Sequence, residues 1–175
     1  MVRQALAMGY APDRLAKKST RELFALFGAA LKELQARGVT RSTNNPIADY
    51  AELLFETALR LKRAPRSTKG YDALDRAGRK YEIKCRRVTA HNSSRQLSAL
   101  RGLDQKHFDF LGGVLFMEDF SVFRACLVPH EQVLSNSTFV HQTNSWKFFL
   151  LDTVWALPGV VDVTAKLQKA EAGHG

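Results

Sequence analysis

Apolar residues recur at helical spacing in two segments of the first third of the chain. Ser19 or Thr20 can cap the first helix, and Gly38 follows it as a stop signal. Pro46 suits the first turn of the second helix, with Asn45 as its cap. We therefore predict two helices, whose apolar faces are formed by Leu23, Leu26, Phe27, Ala30, Leu31 and Leu34 and by Tyr50, Leu53, Leu54, Ala58 and Leu61.

The apolar pattern changes to a period of two after a basic loop over residues 62–69, and this predicts a β-hairpin. Its arms are residues 70–75 and 79–88. The turn between them ends at Gly78, which can adopt the left-handed conformation that closes such a loop. The second arm has a half-polar strand pattern, in which apolar and charged residues alternate: Tyr81, Glu82, Ile83, Lys84, Cys85 and Arg86.

The rest of the chain has fewer charged residues between its apolar runs. Predicted elements are a helix over 93–103, antiparallel strands over 108–116 and 122–128, a turn or short helix over 129–134, an aromatic segment over 146–151 and a fraying helix over 160–175. This order indicates an α+β fold, with a mixed or antiparallel sheet flanked by helices. The polar stretch 40–45 is the expected boundary between an N-terminal helical arm, 1–43, and the main domain, 44–175.

Basic residues outnumber acidic ones, 26 Lys and Arg against 17 Asp and Glu, so the formal net charge is +9. This excess favours a polyanionic partner such as nucleic acid; a generally basic protein without such a partner is the alternative. Cys85 and Cys126 are far apart, so neither a disulfide framework nor a zinc site is expected. Because the sequence contains no long apolar run and no signal-peptide pattern, we expect a cytoplasmic protein with no membrane partner.

The hairpin register brings charged side chains to one face of the sheet. If residues 76–78 form the turn, Asp72 lies opposite Glu82, and Lys84 shares their face because it is two residues further along the strand. Adjacent carboxylates repel each other unless a cation lies between them. Mg²⁺ is a suitable cation, since it is often held by one or two carboxylates together with phosphate oxygens. Glu52, on the preceding helix, could reach the same site.

Asp72 and the triplet Glu82-Ile83-Lys84, after a helix that carries Glu52, resemble the motif of the PD-(D/E)xK nuclease superfamily. The resemblance covers residues 45–130, and Tyr71 stands where the motif has Pro. It implies an α/β/α sandwich with a restriction-endonuclease-like αβββαβ core and a mixed central sheet. The N-terminal helix would be an addition to that core.

The resemblance also implies a role for each residue of the site. Asp72, Glu82 and the main-chain carbonyl of Ile83 would hold Mg²⁺, for which Mn²⁺ can substitute. Lys84 would position or activate the attacking water, and Glu52 would bind a second ion or order a water molecule. The expected protein is a Mg²⁺-dependent endonuclease that hydrolyses phosphodiester bonds of DNA, in restriction, phage defence or repair, with RNA not excluded.

Several polar residues flank the motif and could hold the nucleic-acid backbone: Lys69, Arg86, Arg87 and Arg95. Gln96 opens the predicted helix over 93–103, where related enzymes often have a polar residue near the site. A homodimer is expected, because cutting both strands of a duplex often needs two active sites.

Other interpretations of the same residues remain open. Glu82 and Lys84 could belong to a solvated strand face in a basic structural or RNA-associated protein. Asp75 competes with Asp72 as a ligand, although its position fits a turn-forming Asp better. His107 is interpreted as structural. A non-catalytic nucleic-acid-binding module with the same fold is the alternative function.

Overall fold

The structure is a computed structural model that describes residues 12–41, 46–65 and 68–173. The chain forms two compact units, Met1–Pro46 and Ile47–Gly175. The helices and strands are, in chain order, α1 (Pro12–Ala16), α2 (Thr20–Ala36), α3 (Pro46–Leu59), β1 (Lys62–Arg63), β2 (Ala73–Leu74), β3 (Lys80–Arg87), β4 (Phe110–Phe116), β5 (Val122–Pro129), α4 (His130–Ser135), β6 (Thr138–Val140), β7 (Ser145–Lys147), β8 (Val161–Asp162) and α5 (Thr164–Ala172). Short 3₁₀ helices span Leu103–Gln105, His141–Thr143 and Asp152–Ala156. Within the described ranges, no helix has the length and apolar character needed to cross a membrane.

Helix α2 is the main element of the first unit, and it begins where the sequence predicted. The Glu22 N–H donates to Ser19 Oγ at 3.3 Å, and the Ser19 N–H donates to Glu22 Oε2 at 2.8 Å, which is a capping box. Gly38 follows the helix with a left-handed φ of 71°. None of the residues of α2, all of which the structure describes, is buried. The predicted apolar face of α2 is therefore not part of a buried core.

The second unit is built on a six-stranded sheet in the order β1-β2-β3-β4-β5-β8, with β6 and β7 as a separate pair. Strands β3 and β4 run parallel, so that Glu82 lies beside Leu111 and Lys84 beside Gly113. The other neighbouring strands of this sheet are antiparallel. The chain is therefore α+β with a mixed sheet, and the predicted antiparallel pair β4–β5 is confirmed.

Helices α3 and α5 pack on one face of the sheet. The close approach of α3 depends on Gly112 in β4, because a Cβ added there would lie 2.9 Å from Phe55 Cε1. The opposite face is covered mainly by irregular chain and the short helix α4. The buried residues of this second core include Leu97, Leu100, Leu103, Phe108, Val133, Phe148 and Leu150.

The predicted helix over 93–103 is wrong, because this segment is not helical but runs alongside the chain near β7. The Leu97 N–H donates to the Phe148 carbonyl at 3.0 Å, and the Leu100 N–H donates to the Trp146 carbonyl at 3.1 Å. Leu97 and Leu100 are both buried, so their spacing imitates one face of a helix. The α-helix that an αβββαβ core has between its third and fourth strands is thus absent between β3 and β4, where every residue is described.

Smaller differences concern the predicted loop and the tail. The basic loop over 62–69 contains β1, whose two residues pair with β2, while residues 66–67 lie outside the described part of the chain. The tail contains β8 before its helix, and residues 174–175 lie outside the described part. Asn45, the predicted cap of the second helix, also lies outside the described part of the chain. The short helix after Pro129 is confirmed as α4.

Candidate active site at the β2–β3 hairpin

The hairpin has the predicted register. Ala73 pairs with Tyr81 and Leu74 with Lys80, which continues to Asp72 opposite Glu82. Gly78 closes the turn with a φ of 80°. The turn can form because glycine adopts this left-handed conformation without the strain that a side chain would cause. Local sequence alone therefore determines which residues of the two arms face each other.

Asp75 is a turn-forming residue, as its position in the sequence suggested. Its Oδ1 accepts hydrogen bonds from the N–H groups of Ala77 at 2.9 Å and Arg79 at 3.0 Å, and its Oδ2 accepts from Arg79 Nε at 2.6 Å. Burial alone would raise the pKa of Asp75, but the side-chain hydrogen bond from Arg79 and the other donors outweigh it and lower this pKa. With this carboxylate engaged by the turn, Asp72 is the better candidate ligand.

Asp72, Glu82 and Lys84 meet on one face of the sheet. Lys84 Nζ contacts Glu82 Oε1 directly and lies 3.9 Å from Asp72 Oδ2. Asp72 Oδ2 also accepts a hydrogen bond from the Ile83 N–H at 2.7 Å. The three side chains are 27%, 16% and 19% exposed, respectively. They form a charged cluster that is largely shielded from bulk water.

The Ile83 carbonyl lies at the same edge of β3 as this cluster. In an extended strand the N–H and C=O of one residue point to the same neighbouring strand. The Ile83 N–H points to Asp72, so its carbonyl faces the side of the sheet from which Asp72 approaches. The backbone thus adds a carbonyl oxygen on the side of the two carboxylates.

The charges in the cluster shift one another's titration. Burial raises the pKa of Glu82; Lys84 works against this shift, whereas Asp72 adds to it. Burial alone would lower the pKa of Lys84, but the charges of Glu82, Asp72 and Glu52 outweigh it and raise the pKa. Lys84 is therefore held as an ammonium ion, while Glu82 takes up a proton more readily than a carboxylate in water.

Glu52 acts on the site from α3 and lies near an arginine that the sequence interpretation missed. Arg63 Nε is 4.0 Å from Glu52 Oε2, and Arg63 Nη2 is 2.8 Å from Glu56 Oε2. Neither contact is a hydrogen bond. Burial raises the pKa of Cys85 to about 11; the charge of Lys84 opposes this shift, and the charge of Glu52 adds to it. The predicted basic loop thus contributes a buried cation, Arg63, to the carboxylates of α3.

His107, which is interpreted as structural from the sequence, acts on the site through its charge. Gly70, with a φ of 86°, packs against it so closely that an added Cβ would lie 2.4 Å from His107 Cβ. His107 Nε2 lies 2.8 Å from Gln105 Oε1, and the charge of His107 lowers the pKa of Glu82. The available signal was the glycine two residues before Asp72, since such a glycine often marks a close approach.

The predicted nucleic-acid contacts have different surroundings. Lys69 is exposed. Arg86 Nε donates to the Ser94 carbonyl at 3.3 Å, and the Arg87 guanidinium lies 4.7 Å from the centre of a phenylalanine ring. Arg95 forms an ion pair with an aspartate at 2.8 Å, but the same carboxylate oxygen also binds Arg124 at 2.6 Å, so the charge of Arg95 is only partly compensated. Gln96 does not open a helix; it forms a β-bridge to the chain at position 149.

The donor set fits a hard divalent ion better than a transition metal. Among the described residues, no group of three or more His, Cys, Asp or Glu side chains is arranged to hold a metal. Asp72 and Glu82 nevertheless offer oxygens beside the Ile83 carbonyl, and Mg²⁺ commonly uses one or two carboxylates and completes its shell with water and phosphate oxygens. The residues present therefore fit Mg²⁺, with Mn²⁺ as a substitute.

Comparisons with known proteins give no family for this chain. No protein-family model matches the sequence, and no curated protein matches it at a significant level. The resemblance to the PD-(D/E)xK motif therefore rests on the hairpin residues and on Glu52. Two features depart from it: Tyr71 replaces the motif's Pro, and the helix after the third strand is absent.

Proposed function

We propose that this chain is a Mg²⁺-dependent endonuclease that hydrolyses phosphodiester bonds of DNA. The observation that carries the proposal is the meeting of Asp72 and Glu82 around the ammonium group of Lys84 on a half-buried sheet face. Two carboxylates and one ammonium leave the cluster with a net negative charge when all three are ionised. Such a cluster attracts a divalent cation, and the net charge of +9 on the whole chain attracts a polyanion.

In this proposal each residue has a role that follows from its position. Asp72, Glu82 and the Ile83 carbonyl would hold Mg²⁺, which when bound supplies Lewis-acid polarisation of the phosphoryl oxygens. Lys84 orients the attacking water and stabilises charge on the phosphate. Glu52 orders a second water, with its own charge balanced in part by Arg63. His107, whose charge acts on Glu82, is the candidate donor of a proton to the departing oxygen.

The order and direction of the helix and strands around the site support a restriction-endonuclease-like core. Helix α3 precedes the antiparallel strands β1, β2 and β3, and β4 then pairs with β3 in parallel. The extended segment over 93–103 replaces the missing helix. Restriction, phage defence and repair are the processes that use such an activity, and RNA is an alternative substrate.

A homodimer is part of the proposal, because two copies can cut both strands of a duplex. Helix α2 presents apolar side chains that are partly or mostly exposed: Leu23, Phe24, Leu26 and Phe27. Sedimentation equilibrium tests this directly. A mass near twice 19.6 kDa supports the dimer, and a mass near 19.6 kDa at all concentrations contradicts it.

A second candidate function has its own supporting observation. Lys84 contacts Glu82, and Arg63 lies close to Glu52 and Glu56, so the acidic residues have cations nearby without any metal. A nucleic-acid-binding module with no cutting activity would need nothing more. The two candidates differ in one measurable property, the cleavage of a bound strand.

The test uses supercoiled plasmid DNA and a single-stranded RNA with purified protein and Mg²⁺ or Mn²⁺. We expect the wild type to nick and linearise the plasmid, and EDTA to abolish cleavage. Glu82→Gln and Lys84→Met should each slow cleavage about a hundredfold or more. Asp104→Asn removes a carboxylate at an exposed position and is the matched control, with unchanged cleavage expected.

Circular dichroism at the assay temperature checks that each variant is folded. Equal cleavage by Glu82→Gln and wild type would place the activity elsewhere and contradict the proposal. Binding of DNA or RNA without cleavage, with either metal, would favour the non-catalytic module.

A further inference from the structure

A cavity lies on the face of the hairpin opposite the carboxylate cluster. Tyr81 precedes Glu82 in β3, so its side chain points to the opposite face of the sheet. There, an open cavity of about 410 Å³ lies between the C-terminal end of α3 and the β2–β3 turn. Its size is within the range of cavities that bind small ligands. It is therefore separate from the carboxylate cluster, although one hairpin contributes to both.

The rim of this cavity is rich in arginine. Arg60, Arg76 and Arg79 line it, together with a single carboxylate, Asp75. Arg79 already binds Asp75 through Nε at 2.6 Å. Arg60 and Arg76 are exposed, and neither has an acidic partner among the residues that the structure describes. The cavity thus has two guanidinium groups whose charge is not compensated locally.

Arg60 occupies its position at a cost in backbone energy. It follows α3 with a left-handed φ of 56°, a conformation that glycine adopts most readily at the end of a helix. A residue with a side chain is strained in this conformation. Arg60 keeps this strained position at the mouth of a cavity, which indicates that its side chain has a function.

The floor of the cavity is apolar. Leu61 and Tyr81 are buried, and Leu127 is half-buried, so a ligand that reaches the floor must carry an apolar or aromatic part. The Tyr81 hydroxyl donates to Asp75 Oδ2 at 3.1 Å and is thereby engaged. A ligand for this cavity therefore combines an anionic group at the rim with a flat or apolar group below it.

We propose that this cavity binds a nucleotide, with its phosphate held by Arg60 and Arg76 and its nucleoside against the leucine side chains. Guanidinium groups are suited to phosphate, because two N–H donors of one arginine match two phosphate oxygens. The phosphate monoester can belong to a free nucleotide or to the 5′ end of a nucleic-acid strand. This binding does not depend on the nuclease proposal, because it uses neither the carboxylate cluster nor a metal.

The test measures binding by calorimetry in EDTA, with adenosine 5′-monophosphate, adenosine and inorganic phosphate as probes. We expect the monophosphate to bind more tightly than either of the others. Arg60→Gly and Arg76→Gln should each weaken that binding about tenfold. Arg60→Gly is favoured at its φ, so loss of folding cannot explain its effect. Arg101→Gln, an exposed arginine outside the cavity, is the control for the change in net charge and should bind as the wild type does.

Short oligonucleotides with and without a 5′-phosphate distinguish the two sources of the phosphate group. A preference for the phosphorylated end that Arg60→Gly abolishes identifies strand ends; tight binding of the free nucleotide without that preference identifies a small-molecule site. Equal binding of all three small probes, or unchanged binding by Arg60→Gly and Arg76→Gln, would overturn the proposal. Retained nucleotide binding by Glu82→Gln is expected, and its loss in that variant would also overturn it.

Discussion

Removing the ammonium group of Lys84 tests the electrostatic account of the carboxylate cluster. Lys84→Met keeps the length of the side chain but leaves Asp72 and Glu82 without the cation between them. Two unit charges 3.9 Å apart, the distance from Lys84 to Asp72, attract by about 4 kcal/mol at an effective dielectric constant of about 20. Part of this is offset because the ammonium is no longer buried. We expect a loss of about 3 kcal/mol in the free energy of unfolding at pH 7.5.

The loss in the free energy of unfolding of Lys84→Met should depend on pH. The pKa of Glu82 is already raised, mainly by burial, and Lys84 opposes that rise. In Lys84→Met the pKa of Glu82 should rise further, so the folded variant binds a proton more tightly than the unfolded chain does. A raised carboxyl pKa favours folding at low pH and loses that contribution as the pH increases through the folded value. The deficit relative to wild type should therefore be smaller at pH 5 than at pH 7.5.

Urea denaturation at the two pH values measures both quantities. Lys147→Met is the matched control, because Lys147 is exposed at the end of β7, and its effect should stay within about 0.5 kcal/mol. A deficit that is the same at pH 5 and pH 7.5 would refute the coupling between Lys84 and Glu82. No deficit at either pH would show that the ammonium does not stabilise the cluster.

Three further predictions follow from individual contacts. Gly70→Ala should lower the free energy of unfolding by about 2 kcal/mol or more, because its Cβ would lie 2.4 Å from His107 Cβ at a φ of 86°; Gly28→Ala, in open space on α2, should not destabilise in the same urea titration. His107→Gln should reduce the cleavage rate about a hundredfold without changing the free energy of unfolding, whereas a merely structural role would lower that free energy. Ser19→Ala should weaken α2 by about 1 kcal/mol, which faster amide exchange at Glu22 would show.

The sequence predicted the hairpin and its charged face because the determinants are local. Gly78 sets the turn, and the alternation along β3 sets which residues share a face. With these two features, Asp72 falls opposite Glu82 without any knowledge of the rest of the fold. The capping box at Ser19 is predictable for the same reason, since both of its hydrogen bonds join residues within one turn.

The parts that the sequence could not show depend on distant contacts. The segment over 93–103 has leucines at helical spacing, but hydrogen bonds to Trp146 and Phe148 hold it out of a helix. Arg63 is in a strand because β2 pairs with β1, and only the fold brings it close to Glu52. His107 packs against Gly70, and although that glycine marks a close approach, the sequence does not show which residue approaches it.

In the proposed nuclease Asp72 and Glu82 together hold one divalent ion, and electron paramagnetic resonance can count this ion as bound Mn²⁺. The measurement uses the protein with a short DNA duplex, since phosphate oxygens complete the coordination of such ions. We predict one bound Mn²⁺ per chain in the wild type, which excess Mg²⁺ displaces. The double variant Asp72→Asn with Glu82→Gln should lose this ion, and Asp104→Asn should retain it. No bound Mn²⁺ in wild type, or equal binding by the double variant, would contradict the claim and leave the cluster as a set of ion pairs.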